Sequence, residues 1–226
     1  MAGTQSNVGR FTLLIVGLLV AGGLLLWMLS RRSASPTIPV MVQVQPSDTA
    51  GFEGYVLGVD SAPVTIVEYA DYQCPACQTF DMVEFPYVKD RLVATGKARF
   101  VFKDFPLDQP HRWARLAAHA AACTNEQNRF WEMKDEIFRT QPEWSFSNRA
   151  GSIFRDLAGG IGVDLQAYDA CMQSLRYAGR IQATLDEGVR MGVNSTPTLI
   201  VGGQMFRGAA AYDQIRAVVD SLIGTP

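Results

Sequence analysis

Two cysteines separated by two residues, Cys74-Pro75-Ala76-Cys77, are the part of this sequence best suited to chemistry. A β-branched run ends just before them and a helical pattern begins at Pro75. Proline is well placed in a first helical turn, where its fixed φ fits and its missing N–H costs nothing. Cys74 then lies at the helix N-terminus, where unpaired backbone N–H groups and the macrodipole favour a thiolate. Cys77 follows one turn later on the same face, with Cα atoms about 5–5.5 Å apart, inside the range of a disulfide. One exposed, activated sulfur beside a buried partner is what reversible dithiol exchange needs. A structural bridge has no use for a helix terminus. A zinc site would need two further ligands, and Cys123, Cys171, His111 and His119 form no second paired knuckle, so no metal is expected. The two histidines read as surface or core residues.

Two further features bear on the pair. Glu68, six residues before Cys74, interrupts the apolar strand Val64-Thr65-Ile66-Val67-Glu68-Tyr69. A carboxylate inside such a strand should have a raised pKa, suited to proton transfer near a buried thiol; an edge-strand Glu facing solvent is the alternative. Thr196-Pro197 opens the later strand Thr198-Leu199-Ile200-Val201, where proline is tolerated; a trans peptide is the default there, and a cis one would be a deliberate feature. Asn194-Ser195-Thr196 fits a glycosylation pattern by coincidence, and Gly159-Gly160-Ile161-Gly162 lacks the strand and lysine of a phosphate loop.

The elements that must position these residues follow from pattern. The Val64–Tyr69 strand leads into a helix from about Pro75 to Thr95, capped by Gly96, and then into a strand over Ala98–Lys103 that Pro106 stops. That is a β-α-β unit, which builds a parallel pair. A helical block from about 110 to 192 follows, interrupted at Thr124-Asn125, Pro142 and Gly159-Gly160, with an apolar core stripe at Phe130, Trp131, Met133, Ile137 and Phe138. Thr198–Val201 turns through Gly202-Gly203 into Gln204–Arg207, and an amphipathic helix over 212–223 ends the chain. The expected class is α/β, a mixed sheet with an inserted helical subdomain, and Met41–Gln45 reads as a further edge strand.

Ahead of this domain, Phe11–Leu29 is a run of 19 uncharged, mostly apolar residues, spanning roughly 28 Å as a helix. The expected organisation is a tail over 1–10, one transmembrane anchor over 11–29, a linker over 30–53 and the folded domain over 54–226. Ser30-Arg31-Arg32-Ser33 offers no good cleavage site, which favours an anchor over a removed signal peptide. One arginine precedes the run and two follow it, a slight bias toward keeping the C-terminal domain inside. Redox chemistry argues for the opposite, extracytoplasmic placement. Residues 33–226 carry 17 basic against 22 acidic groups, a net of −5, which excludes an electrostatic footprint for nucleic acid. Four cysteines in 226 residues are too few for a disulfide-stapled miniprotein but suit an oxidising compartment.

Ala62–Tyr69, Asp71-Tyr72-Gln73-Cys74-Pro75-Ala76-Cys77 and Ser195-Thr196-Pro197-Thr198-Leu199 together resemble the DsbA-like branch of the thioredoxin superfamily, over roughly residues 54–224. The resemblance implies a thioredoxin-like sheet with a helical insertion. It implies Cys74 as nucleophile, Cys77 as resolving cysteine, Glu68 as buried acid and Pro197 as the cis-proline facing them. Thr196, with Pro75 and Ala76, would meet the substrate peptide, and no cofactor is implied. The implied activity is oxidation of thiols in exported proteins, with reoxidation by a quinone-linked membrane protein of the DsbB or VKOR type. A reductase or isomerase is the nearest alternative; a membrane-held binding module with a structural Cys74–Cys77 bridge is the alternative from another class. The strongest oxidants of the branch have histidine where this chain has Ala76, so a potential below theirs is expected. Cys123 and Cys171 are either buried free thiols or a disulfide. Second pairs in membrane-linked members of the branch favour the disulfide.

Overall fold

The computed structural model describes residues 6–31, 38–39 and 42–224. The chain forms two compact units, Met1–Ser35 and Pro36–Pro226. The first unit is the helix α1 (Ser6–Arg31). Apart from Thr12, its described side chains from Phe11 to Trp27 are apolar, and they are largely exposed. The transmembrane anchor expected over 11–29 is not supported, because among the described residues no helix is long and apolar enough to cross a membrane. Phe11 to Trp27 rises only about 25 Å at 1.5 Å per residue, against a hydrocarbon core of about 30 Å.

The second unit opens with a short helix, α2 (Pro46–Thr49), and a strand, β1 (Tyr55–Leu57). The edge strand expected at Met41–Gln45 is not formed over Val42–Gln45, and Met41 lies outside the described residues. β1 takes that edge instead, pairing antiparallel with β3 (Ala98–Asp104). Ile38, inside the expected linker, is buried in the main core, with Val42 and Phe52 packed against it.

β3 also pairs in parallel with β2 (Val64–Ala70), the product of the β-α-β unit. Between them runs a helical stretch: α3 (Pro75–Thr79), a π-turn over Phe80–Glu84, α4 (Phe85–Val88) and a second π-turn over Lys89–Val93. The six helices of the insertion are α5 (Ala114–Asn125), α6 (Phe130–Arg139), α7 (Gln141–Trp144), α8 (Ala150–Gly160), α9 (Leu165–Ser174) and α10 (Ala178–Arg190). The break expected at Pro142 falls at Thr140, between α6 and α7, and Pro142 lies in the first turn of α7, where its lack of an N–H is harmless. The chain returns through β4 (Thr198–Val201), β5 (Gln204–Arg207) and α11 (Tyr212–Leu222). Gly202 and Gly203, with φ of 54° and 89°, make the two-residue turn between the last strands. The sheet order is β1-β3-β2-β4-β5, with only β2 and β3 parallel.

Strand alternation sets the layers. Val64, Ile66, Glu68 and Ala70 share one face of β2, which joins the main core with Phe80, Phe100, Phe102, Phe138 and Ile215. Tyr69 points to the other face and packs with Phe105 and Val193. There α10 comes so near that a Cβ on Gly188 would lie 2.7 Å from the Phe105 ring, so glycine is required for the approach.

Candidate active site

The turn that presents the dithiol is closed by the Cys74 N–H donating to the Asp71 carbonyl at 3.1 Å. Cys74 is the N-cap of α3, with extended backbone, and Pro75 begins the helix. Both thiols are free, the reduced form of the pair. Cys77 is wholly buried, and Cys74 keeps only 8% of its surface, less than the exposed sulfur expected from the sequence. What covers it is the segment before β4: the Thr196–Pro197 peptide is cis, and the Cys74 Sγ lies 3.4 Å from the Thr196 carbonyl oxygen.

The two sulfurs sit in opposite electrostatic surroundings. A hydrogen bond from the Cys77 thiol is the main influence drawing the Cys74 pKa down, to about 5, against the opposing effect of burial. The backbone N–H groups of Cys77 and Ala76 add to it, the helix-end donors expected at this position. Burial pushes the Cys77 thiol well above its ordinary value. The Asp71 N–H donates to the Cys77 Sγ at 3.5 Å.

Glu68 is buried on the core face of β2, not at an edge facing solvent, and its Oε1 has no partner among the described residues. Burial lifts its pKa to about 8, opposed by Lys134 and aided by Asp81 and Cys74. Lys134, from α6, is fully buried and ion-paired to Asp81. Neither residue was singled out in the sequence, although a signal was there. Lys134 stands four positions after Phe130 and four before Phe138, on the apolar face of α6.

Four more residues build the site without having been foreseen. Asp71 is buried and accepts from the Gln73 N–H at 2.7 Å, the Leu107 N–H at 2.7 Å and His111 Nδ1 at 2.8 Å. His111 is therefore part of the site rather than a plain surface or core residue. Gln73 donates to the Ser145 carbonyl at 2.9 Å and accepts from the Trp113 N–H at 2.8 Å. Gln141, from α7, donates to the carbonyls of Tyr72 at 2.7 Å and Cys74 at 3.0 Å. Through these glutamines the helical insertion grips the redox turn on both sides.

Cys123 on α5 and Cys171 on α9 are joined as a disulfide, with Cα atoms 5.7 Å apart. His119 is buried beside them, its Nε2 3.9 Å from the Cys123 Sγ. These three could resemble a metal ligand set, but sulfurs bonded to each other are not thiolates and do not ligate as such.

The sequence profile of the family described as thioredoxin matches residues 52–221. The chain belongs to the thioredoxin family. This thioredoxin-family protein is 27% identical to disulfide bond formation protein D of Bacillus subtilis over 168 residues, covering 73% of this chain and 75% of that one. It is also 34% identical over 184 residues to the Na(+)/H(+) antiporter NhaA 3 of Salinispora tropica, a match covering 81% of this chain and 26% of the antiporter. The chain thus spans about a quarter of the length of that relative. The crystal structure of oxidised BdbD from Bacillus subtilis superimposes with a TM-score of 0.69 at 27% identity, covering 81% of this chain and 98% of that chain. That of α-DsbA1 from Wolbachia pipientis does so with a TM-score of 0.69 at 21% identity, covering 76% of this chain and 92% of that one, and shows the shared fold. The mixed sheet with its helical insertion is the DsbA-like form of the thioredoxin fold, and the relatives and structural neighbours that share it include disulfide oxidoreductases.

Proposed function

We propose that this protein is a thiol:disulfide oxidoreductase that introduces disulfides into exported proteins through Cys74 and Cys77. The observation that carries the reading is the asymmetry of the pair: Cys74 drawn down to about 5 at the helix start beside Thr196 and Pro197, and Cys77 sealed behind it. A thiolate stabilised in the reduced form makes the corresponding disulfide oxidising.

In the oxidised protein, a substrate thiolate attacks the Cys74 sulfur, forms a mixed disulfide and displaces Cys77. The buried Cys77 takes up a proton as it leaves; the raised pKa of Glu68, about 8, supports it as the acid that supplies this proton and regains one from solvent. A second substrate thiolate then attacks its partner sulfur and displaces Cys74 as a thiolate. Two electrons have moved from substrate to protein, and the substrate gains one disulfide. Extended substrate would lie along Thr196 and Pro197 and past Pro75 and Ala76. Reoxidation falls to a membrane partner, a quinone-linked protein of the DsbB or VKOR type. The relative named as a disulfide bond formation protein supports this direction of flow.

The catalytic unit works outside the cytoplasm, held at the membrane through residues 11–29. The exposed apolar side chains between Phe11 and Trp27 support the attachment, and the Cys123–Cys171 bridge supports an oxidising compartment. Protease added to intact cells stripped of any outer layer is expected to digest the catalytic unit; full protection would place it in the cytoplasm.

Equilibration with a glutathione buffer tests the chemistry. The expected potential lies between about −270 mV and about −120 mV, the values of a reducing thioredoxin and a strong oxidant. Refolding of a reduced, multi-disulfide substrate should be accelerated. A potential at or below the reducing value, with faster reduction of insulin disulfides than thiol oxidation, would make the protein a reductase.

A further inference from the structure

The residue between the cysteines that could donate a positive charge to the Cys74 thiolate is absent here, because that position is Ala76. A histidine is nevertheless built into the site from another part of the chain. His111 lies beyond β3, 40 positions from Asp71, and its Nδ1 meets the Asp71 Oδ2 at 2.8 Å. Asp71 has no exposed side-chain surface, and its other partners are the N–H groups of Gln73 and Leu107. The His111 N–H in turn donates to the Leu107 carbonyl at 3.1 Å, so the loop wraps the carboxylate and fixes the ring.

The same Asp71 opens the redox turn: its carbonyl accepts from the Cys74 N–H and its N–H donates to the Cys77 Sγ. An imidazole whose Nδ1–H is held by a carboxylate keeps its second nitrogen available for a proton, and the carboxylate favours the charged ring. We propose that His111, held as an imidazolium by Asp71, is a positioning residue that supports the Cys74 thiolate electrostatically in place of the histidine missing from the dipeptide.

The charges that bear on His111 fit this role. The Asp71 carboxylate raises its pKa through their hydrogen bond, burial opposes, and the Cys74 thiolate raises it further. On its own segment Arg115 is ion-paired to Asp108 at 2.6 Å, and Arg112 stacks on Trp113 while donating to Asn148. Coupling between two sites is reciprocal, so a thiolate that favours the imidazolium is favoured by it equally. Oxidation of Cys74 removes that thiolate and lets His111 release its proton more readily. Over the pH range between the two His111 values, reduction of the disulfide therefore takes up an extra proton. The proton count per two electrons rises from one toward two in that window. Above the window His111 is neutral in both states and its support is gone.

This inference rests on the dithiol reading of the site, and two variants test it separately from that reading. Thiolate absorbance at 240 nm reports the Cys74 titration whether or not the protein exchanges with any thiol. In His111→Gln the Cys74 pKa should rise by about one unit, and the equilibrium constant with glutathione should shift about tenfold toward a less oxidising disulfide. The part of the steeper window that His111 contributes should vanish, leaving only that of Glu68, whose pKa of about 8 the Cys74 thiolate also raises. His111→Lys, which keeps a cation without titrating near neutrality, should restore most of the low Cys74 pKa and still lack the His111 part of the window. A His111→Gln protein with Cys74 pKa and glutathione equilibrium within twofold of the parent overturns the inference. So does a His111→Lys protein as impaired as His111→Gln, since shape rather than charge would then be the cause. Wild-type protein that fails to exchange with glutathione would instead strike the oxidoreductase reading, leaving the 240 nm titration to decide the role of His111.

Discussion

At the residue scale, the site separates two identical side chains by their surroundings. Cys74 gathers donors from Cys77 and the helix start, whereas Cys77 is sealed in the core with one backbone N–H at 3.5 Å. On the proposed chemistry, this asymmetry makes Cys74 the sulfur attacked and Cys77 the first to leave. Cys77→Ser should trap mixed disulfides between Cys74 and substrate, seen as adducts on non-reducing gels, because nothing remains to resolve them. Cys74→Ser should abolish exchange; a Cys74→Ser protein that retained full activity would leave the pair a structural feature. Glu68 shows the same logic in a carboxyl group. Its folded pKa of about 8 stands above its ordinary value of 4.5, so the native state holds a proton that the unfolded state has lost between those values. Unfolding then releases a proton, and stability falls as pH rises through that window. Glu68→Gln should flatten this slope and make the protein more stable than the parent at pH 8, by at most about 4 kcal/mol, since each pKa unit is worth about 1.4 kcal/mol. Denaturant titrations at pH 5 and pH 8 measure it. An unchanged slope would mean that Glu68 is not protonated in the folded state.

At the element scale, the redox turn is held less by its own helix than by the insertion. Gln141 in α7 satisfies two buried carbonyls of the turn, those of Tyr72 and Cys74. Gln141→Leu keeps the bulk and leaves both acceptors unpaired, at a cost of about 1–3 kcal/mol for each buried group stranded this way. A loss near 3 kcal/mol in chemical denaturation is expected, and a loss below 0.5 kcal/mol would show that solvent replaces the amide. This grip also marks where sequence reasoning stopped. β2, β3, the β4–β5 hairpin and the helix after Cys74 were legible because each carries its own period and its own stop signals, Gly96 and Pro106 among them. Cys74 and Cys77 were legible because their meaning depends on local position at element ends, whereas the cis Thr196–Pro197 peptide was implied only by the family resemblance. Gln141, His111 and Lys134 act through contacts spanning 67, 40 and 53 positions, and no local pattern encodes such pairings. β1 escaped because three residues are too short to show alternation, and Met41–Gln45 misled because alternation without a free sheet edge does not make a strand. The apolar run at 11–29 was plain in composition, yet composition did not settle that it spans a membrane.

At the scale of the whole catalytic unit, two cysteine pairs with opposite duties share one chain. Cys74 and Cys77 are three positions apart at the start of α3, and both are free thiols. Cys123 and Cys171 are 48 positions apart, tie α5 to α9 in the helical insertion, and are bonded and buried at 1% and 0% exposure. Closing a loop of that length withdraws conformational freedom from the unfolded chain worth roughly 4 kcal/mol. The reducing agents that open the first pair have no route to the second, because an attacking thiolate must reach a sulfur in line with the bond, and both sulfurs are enclosed by packed helices. Mild reductant should therefore release two thiols per chain to alkylation, both mapping to Cys74 and Cys77, and full release should require denaturant. The double variant Cys123→Ala with Cys171→Ala should melt about 10 °C lower, the shift that roughly 4 kcal/mol produces in a chain of this size. Its Cys74 titration and glutathione equilibrium should match the parent, because the bridge braces the insertion without touching the redox turn. Equal melting temperatures would show that the unfolded insertion gains no freedom when the bridge is lost. A displaced Cys74 titration would show instead that strain at α5 and α9 reaches the redox turn through Gln73 and Gln141, and the bridge would then belong to the chemistry as well as to the fold.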